Sequence, residues 1–475
     1  MSRKEAKMNI IFMNPLRDTI SDKIQSSSTF PRVGLASIAA VLQENYNVKI
    51  IDPVIENYSL VELCETLKGL DPDVIGINAY TEEIIDADIM CREIKRVLPN
   101  TYCIIGGPHI SAIPERTMKE FNFFDFGIIG EGEKTCLELV EAIESNKKFD
   151  CVKGIIFKNY NKIIRTEKRE LIKDINELPY PAWNLFNLEK YRKFSPTGEH
   201  IEGLELPVEG ARGCPFDCIF CYRTFGGSVR FKTAKRIVDE IESNLNFFGA
   251  TKVHFVEGSF GINKRIAVET CDELIKRGLH RRITWETGGR VDLMNDVDLL
   301  KKMKEAGCTV IGYGVESGNE EILNKIGKKT NLRLIQETVK KTKEAGIKAG
   351  ACFIIGLPYE TEKTIKETIN FASQLDAFNP NFAILVPFPG TRIADMARTG
   401  EGGLRLLSEN WSDYSKQTGK TLELAGVDQK KLVALQKRAY LKVYTSSKNI
   451  LNTLHLLKSQ GAKNSMVKLR ALLRI

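Results

Sequence analysis

The chain has 475 residues, of which 43% are apolar and 27% charged, with eleven cysteines and a formal charge of +8. This composition excludes a disordered or fibrous chain and leaves room for two or three packed domains. An odd cysteine count without a regular framework argues for a reducing, cytoplasmic setting rather than a secreted disulfide scaffold.

No stretch has the long apolar run of a membrane-spanning helix. The apolar run behind the charged residues 1–7 is about a strand long and lacks a small-residue cleavage site.

Over residues 8–145, short apolar runs alternate with helix-period segments. Runs at 9–13, 48–52, 74–78, 102–105 and 126–129 predict five strands of a doubly wound, Rossmann-like parallel sheet covered by helices on both faces. Ligands of such sheets sit beyond the carboxyl ends of the strands. There Thr81 follows the third strand, Gly106-Gly107-Pro108-His109 the fourth and Gly130-Glu131-Gly132-Glu133 the fifth, while Pro31 to Leu35 opens the first helix. Glycines let a large ligand approach the backbone, although ordinary strand-to-helix turns share this composition. His109 reads as a hydrogen-bonding residue that lines the site rather than as a metal ligand.

Residues 146–206 read as a connector. Runs at 154–158 and 162–165 predict a hairpin, and Pro179 and Pro181 exclude a helix or inner strand around Trp183, which is expected to pack between domains.

Over residues 207–395, apolar runs at 206–209, 253–256, 283–286, 310–313, 351–355 and 382–386 recur about every thirty residues, with amphipathic helices such as 297–306 and 332–345 between them. Six βα units predict a partial (β/α)6 barrel of the TIM type, with functional groups beyond the carboxyl ends of its strands. Glu257-Gly258, Glu286 with Arg290, Glu316-Ser317-Gly318, Gly356-Leu357-Pro358 and the segment from Pro387 to Thr391 occupy those positions. Cys308 and Cys352 are expected in the core.

The first of these runs leads into Cys214-Pro215-Phe216-Asp217-Cys218-Ile219-Phe220-Cys221. Three thiolates spaced C-x3-C-x2-C can converge on one iron–sulfur cluster, and a four-iron cluster held by three cysteines keeps one iron open. A structural zinc site would call for a fourth protein ligand, and neither a second cysteine pair nor a nearby histidine supplies it. This loop resembles the signature of the radical S-adenosylmethionine (SAM) enzymes, including the aromatic Phe220 before the third cysteine. The segment before it resembles the cobalamin-binding domain that precedes the radical module in one large subgroup, with Pro72-Asp73-Val74-Ile75-Gly76 also in the familiar place.

The resemblance implies a [4Fe-4S] cluster on Cys214, Cys218 and Cys221, SAM chelating the open iron, and reductive cleavage of the sulfonium to methionine and a 5'-deoxyadenosyl radical. It implies SAM contacts from Phe220, Glu257, Arg290, Glu316 and Gly356, with Glu360 as the acid that follows the glycine turn. It implies cobalamin contacts from Pro31, Leu35, Thr81, Gly106, Gly107, His109, Gly130, Glu131, Gly132 and Glu133. Cobalamin domains of the mutase type carry Asp-x-His-x-x-Gly after the first strand. Asn14-Pro15-Leu16-Arg17-Asp18 has no histidine there. Cobalamin bound here is therefore expected to have its base displaced with no histidine in its place.

Residues 396–475 lack further strand repeats and read as helical. Residues 430–475 hold eleven Lys or Arg and no Asp or Glu, so the rest of the chain carries −3. A solvated helix packed on the barrel explains such a run; peripheral contact with the inner membrane face, suited to a lipid substrate, is the alternative. Nucleic acid is not expected as a partner. The leading reading is methylation of an unactivated carbon in a biosynthetic small molecule, such as a lipid or natural-product intermediate, with flavodoxin or ferredoxin as reductant. Radical cyclisation or rearrangement without net methyl transfer, and a corrinoid or iron–sulfur carrier, are the alternatives. Methylthiotransferases share the cysteine spacing but carry a different N-terminal domain and an RNA-binding β domain.

Overall fold

The computed structural model describes residues 7–16, 31–160, 162–193, 203–256 and 260–446. The chain divides into two compact units, residues 1–196 and 197–475.

The first unit is built on a seven-stranded sheet. Its strands are β1 (Asn9–Met13), β2 (Asn47–Ile51), β3 (Val74–Asn78), β4 (Tyr102–Gly106), β5 (Phe126–Ile128), β6 (Ile155–Asn159) and β7 (Lys162–Arg165), in the order β2-β1-β3-β4-β5-β6-β7. Strands β1 to β5 run parallel, and β6 and β7 are antiparallel. The hairpin expected in a connector over 146–206 instead extends this sheet, because Phe126–Ile128 offers an open edge to Ile155–Phe157. Close packing across the sheet depends on Gly76, which pairs in register with Phe12. A Cβ on Gly76 would lie 2.5 Å from the Phe12 ring. Trp183 is fully buried and packs against Phe186, and Ala182 N donates to Ala36 O at 3.0 Å.

The sheet order switches between β1 and β3, where a doubly wound sheet opens a crevice at its carboxyl end. Asp52, just past β2, braces that end. Its Oδ1 caps the helix Pro53–Glu56, and its Oδ2 accepts from Asn14 Nδ2 and from Tyr191 OH, both at 2.6 Å.

The second unit contains β8 (Leu204–Val208), the short antiparallel pair β9 (Ala211–Arg212) and β10 (Arg230–Phe231), then β11 (Ala250–Phe255), β12 (Thr284–Gly289), β13 (Cys308–Glu316), β14 (Lys348–Ile355) and β15 (Phe378–Ile384). The main sheet is parallel with sequential order β15-β14-β13-β12-β11-β8, the six-strand partial barrel. Alternate residues such as Val253, Phe255, Trp285, Ile311, Tyr313 and Phe353 pack beneath the helices in one core. The residues between them face the other side of the sheet.

Edge strand β15 is closed by the helix Gln429–Tyr444. Tyr440 OH accepts from Phe382 N at 3.2 Å, and Gln436 Nε2 donates to Phe382 O at 2.7 Å. Two side chains thus satisfy edge backbone groups that would otherwise template another strand. The first part of the basic segment is therefore a packed helix, while residues 447–475 lie outside the described residues. The region after residue 396 also holds an antiparallel strand pair, Leu404–Leu406 with Leu422–Leu424. The sequence reading missed it because three residues are too few for alternation to register. No helix among the described residues is long and apolar enough to cross a membrane.

Candidate active sites of the two units

In the first unit, the turns beyond β3, β4 and β5 gather most of the residues singled out from sequence. Arg32, at the entry to the first helix, donates to Asn78 O at 2.8 Å and pairs with Glu83 at 2.5 Å. Its guanidinium lies 4.7 Å from the Tyr80 ring centre. Glu83 also accepts from Tyr80 N at 2.9 Å, so one buried carboxylate ties the helix entry to the turn after β3.

Gly107 has φ +105 and ψ −173, a region open in practice only to glycine. A Cβ there would lie 2.4 Å from Asn78 Oδ1 and 2.7 Å from Ala79 O. Thr81 and His109 are both buried, with Thr81 Oγ1 3.2 Å from His109 Nδ1. Burial first, and then Arg116, push the imidazole down to about 3, so His109 is neutral at physiological pH. Glu131 Oε2 accepts from Ile172 N at 2.7 Å, which commits that carboxylate to holding the chain beyond the hairpin. Pro31, Leu35 and Glu133 are buried.

The backbone fits a large ligand here. A Cβ on Gly130 would meet nothing within 4 Å, and one on Gly106 only Ile77 O at 3.9 Å. Asn78 Oδ1 is buried without a hydrogen-bond partner among the described residues. Asn14 stands after β1 where mutase-type domains carry their motif; Arg17 and Asp18 lie outside the described residues.

In the second unit, Cys214, Cys218 and Cys221 lie on one loop between β9 and β10. All three are free thiols, Cys221 exposed and the other two half-buried. Burial, followed by the charges of Cys214 and Cys218, pushes the Cys221 thiol up. Such a donor set fits an iron–sulfur cluster.

The loop is held at several points. Gly213 has φ +96, and a Cβ there would lie 2.2 Å from Ser228 O. Cys214 N donates to Gly226 O at 3.1 Å, and Ile219 N to Ile326 O at 3.2 Å. Arg290 binds three things at once: Asp292 Oδ1 from Nε at 3.0 Å, Lys328 O from Nη2 at 2.7 Å and Cys218 Sγ from Nη1 at 3.7 Å. Its guanidinium also stacks 3.8 Å from the Phe216 ring centre. Phe220 is partly buried against the core.

Glu316 ends β13 with φ +66, a strained conformation for a residue other than glycine. Its Oε1 accepts from Lys328 Nζ at 2.8 Å, with both side chains buried. Lys328 was not singled out from sequence; a lysine in a Gly-Lys-Lys turn carries no distinguishing signal. Gly318, by contrast, is a packing glycine whose Cβ would lie 2.6 Å from Phe371 Cβ. Gly356 has φ +90, and Glu360 Oε2 accepts from Gly356 N at 2.9 Å and Leu357 N at 3.0 Å. Burial pushes the Glu360 carboxyl up to about 8. Glu257 lies outside the described residues.

Cys308 is buried as expected, but Cys352 is exposed. The apolar run around it hid the strand alternation. Phe353 takes the core side and Cys352 the open side, in register with Gly314. On that same face Gly288, Gly312 and Gly350 pair in register across three strands. They leave a strip of sheet without side chains, so a ligand can lie against the backbone.

Two family models match the chain, the Radical SAM superfamily over residues 208–372 and the B12 binding domain over residues 23–140. An uncharacterized methyltransferase of Pyrococcus horikoshii is 31% identical over 94% of each chain. The chain belongs to the cobalamin-binding radical SAM enzymes. As an enzyme of this family it uses a [4Fe-4S] cluster, SAM and cobalamin. The anaerobic magnesium-protoporphyrin IX monomethyl ester cyclase of Cereibacter sphaeroides is 29% identical over 81% of this radical SAM enzyme and 63% of its own length. Among solved structures, the radical SAM methyltransferase TsrM of Kitasatospora setae, with cobalamin and a [4Fe-4S] cluster bound, superposes with a TM-score of 0.75 at 18% identity over 98% of this chain and 99% of its own.

Proposed function

We propose that this enzyme methylates an unactivated carbon of a small biosynthetic intermediate. The turns beyond β3, β4 and β5 would hold cobalamin, and the cysteine loop the cluster and SAM. The observation that carries the reading is the end-to-end match to a relative named as a methyltransferase, in a chain that matches both family models. When bound, these groups supply a carbon-centred radical from the sulfonium and a transferable methyl group.

The chain's own part is to bind and orient. Cys214, Cys218 and Cys221 would hold the cluster through three thiolates, which would leave one iron of a four-iron cluster open to SAM. Arg290 keeps Cys218 in place and sets the turn that carries Lys328. Gly327 O lies 3.9 Å from Cys218 Sγ, and the next residue, Lys328, pairs with Glu316, so an acid and an ammonium stand beside the loop. The turn braced by Glu360 and the glycine strip on the open face of the sheet provide backbone against which a flat nucleoside or substrate can rest. A small flavodoxin or ferredoxin would supply the electron.

A second reading, radical ring closure without methyl transfer, is favoured by the similarity to the cyclase. Anaerobic turnover with methyl-labelled SAM, cobalamin and reductant separates the two. Methyl transfer yields S-adenosylhomocysteine and 5'-deoxyadenosine in equal amounts, with label in the product. Ring closure yields 5'-deoxyadenosine with no label transferred.

A further inference from the structure

Three neighbouring strands of the second unit bring a histidine and two carboxylates to one place. Glu205 on β8, His254 on β11 and Glu286 on β12 each offer one ligand atom, and these atoms lie within 4.8 Å of one another. Strand register causes the convergence: His254 pairs directly with Glu286, and Glu205 pairs with Lys252, two residues before His254 and on the same face. Glu286 Oε1 is 2.7 Å and Glu205 Oε1 3.7 Å from His254 Nδ1. All three side chains are partly buried on the face opposite the core residues Val253, Phe255 and Trp285. Gly288 lies two residues beyond Glu286 on this face, so no side chain at that position closes over the group.

We propose that Glu205, His254 and Glu286 form a binding site for a divalent cation of the Mn²⁺, Fe²⁺ or Zn²⁺ class, separate from the cysteine loop. One imidazole nitrogen and two carboxylate oxygens suit such ions, and they lack the sulfur that would favour a softer metal. Three protein ligands leave coordination positions for water or for an oxygen of a bound molecule. The two carboxylates balance the charge of a divalent ion, and Lys252 lies on the same face two residues before His254. The site rests on the second unit alone and does not depend on methyl transfer.

The test is an anaerobic Mn²⁺ titration of the full-length protein with its cluster reconstituted, followed by electron paramagnetic resonance. Mn²⁺ has little affinity for thiolates and is therefore a suitable probe. The expected result is one ion per chain with sub-millimolar affinity and a spin-echo modulation from one imidazole nitrogen. His254→Gln and Glu286→Gln should each weaken binding at least about tenfold and Glu205→Gln by a similar factor, while the cluster's absorption is retained. Absence of saturable binding overturns the site, as does a bound ion without nitrogen coupling. The nitrogen signal in the parent protein keeps the test decisive even if a variant folds poorly.

Discussion

Lys328 Nζ sits 2.8 Å from Glu316 Oε1 directly above Gly314, where a Cβ would lie 2.4 Å from that oxygen and 2.8 Å from the ammonium. The glycine is the space the ion pair occupies. Both partners are buried, so removing one leaves an uncompensated charge at a cost of about 3–5 kcal/mol. Lys328→Met should lower the urea midpoint of the second unit markedly. The double change Glu316→Gln with Lys328→Met should recover most of that loss, because both charges are gone. A double variant no better than the single would show that the lysine acts through something other than this pair.

Arg290 joins the cysteine loop to the Ile326–Lys328 turn through a planar fork and a stacked ring. Lysine is not an equivalent replacement for a guanidinium in this role. Arg290→Lys should lower iron and sulfide per chain after anaerobic reconstitution, and Arg290→Ala should lower them further. Cys214→Ala, Cys218→Ala and Cys221→Ala should each abolish the cluster's visible absorption without loss of helical circular dichroism. Full iron loading in Arg290→Ala would show that the loop holds its shape without this brace.

The sheets and the cysteine loop were legible because their signals are local. Apolar strands followed by polar turns repeat through both units, and C-x3-C-x2-C needs only eight residues. Contacts set by strand register were not legible. Nothing near His254 in sequence indicates Glu205 or Glu286, since parallel pairing across separate βα units brings them together. Cys352 takes the open face because strand residues alternate, which the apolar run around it conceals in sequence, and Lys328 carries no local signal because its partner is twelve residues away across a turn. The edge role of Gln436 and Tyr440 likewise depends on which strand ends the sheet, and composition is silent on that.

Glu360 gives the second unit a predictable pH response. Burial holds its carboxyl up to about 8 in the folded chain despite two amide donors, while the unfolded value is 4.5. As pH rises, the unfolded chain loses this proton first, so the folded state is progressively penalised between about 4.5 and 8. Glu360→Gln keeps the carbonyl that accepts from Gly356 and Leu357 but cannot ionise. The variant should gain stability relative to the parent across that window, on the order of a few kcal/mol by its upper end. Urea midpoints of both anaerobic apoproteins, compared at several pH values, isolate this group from others that titrate in the same range. Parallel pH curves would mean that the carboxyl is already ionised in the folded chain.

Gly107 and Gly130 both have positive φ in turns at the carboxyl ends of strands β4 and β5, yet they should respond differently to alanine. At Gly107 a methyl group overlaps Asn78 Oδ1 and Ala79 O, and the backbone region is itself closed to alanine. Gly107→Ala should therefore lower the stability of the first unit and weaken cobalamin binding together. At Gly130 the methyl meets nothing, so only the left-handed backbone is penalised, by about 1–2 kcal/mol. If that open space receives cobalamin, Gly130→Ala should weaken its binding by more than the stability change accounts for. Equilibrium titration with hydroxocobalamin, followed by its visible spectrum, together with thermal unfolding of the same samples, measures both quantities. Unchanged affinity in Gly130→Ala would move the corrin away from the end of β5, and the open space there would then need another occupant.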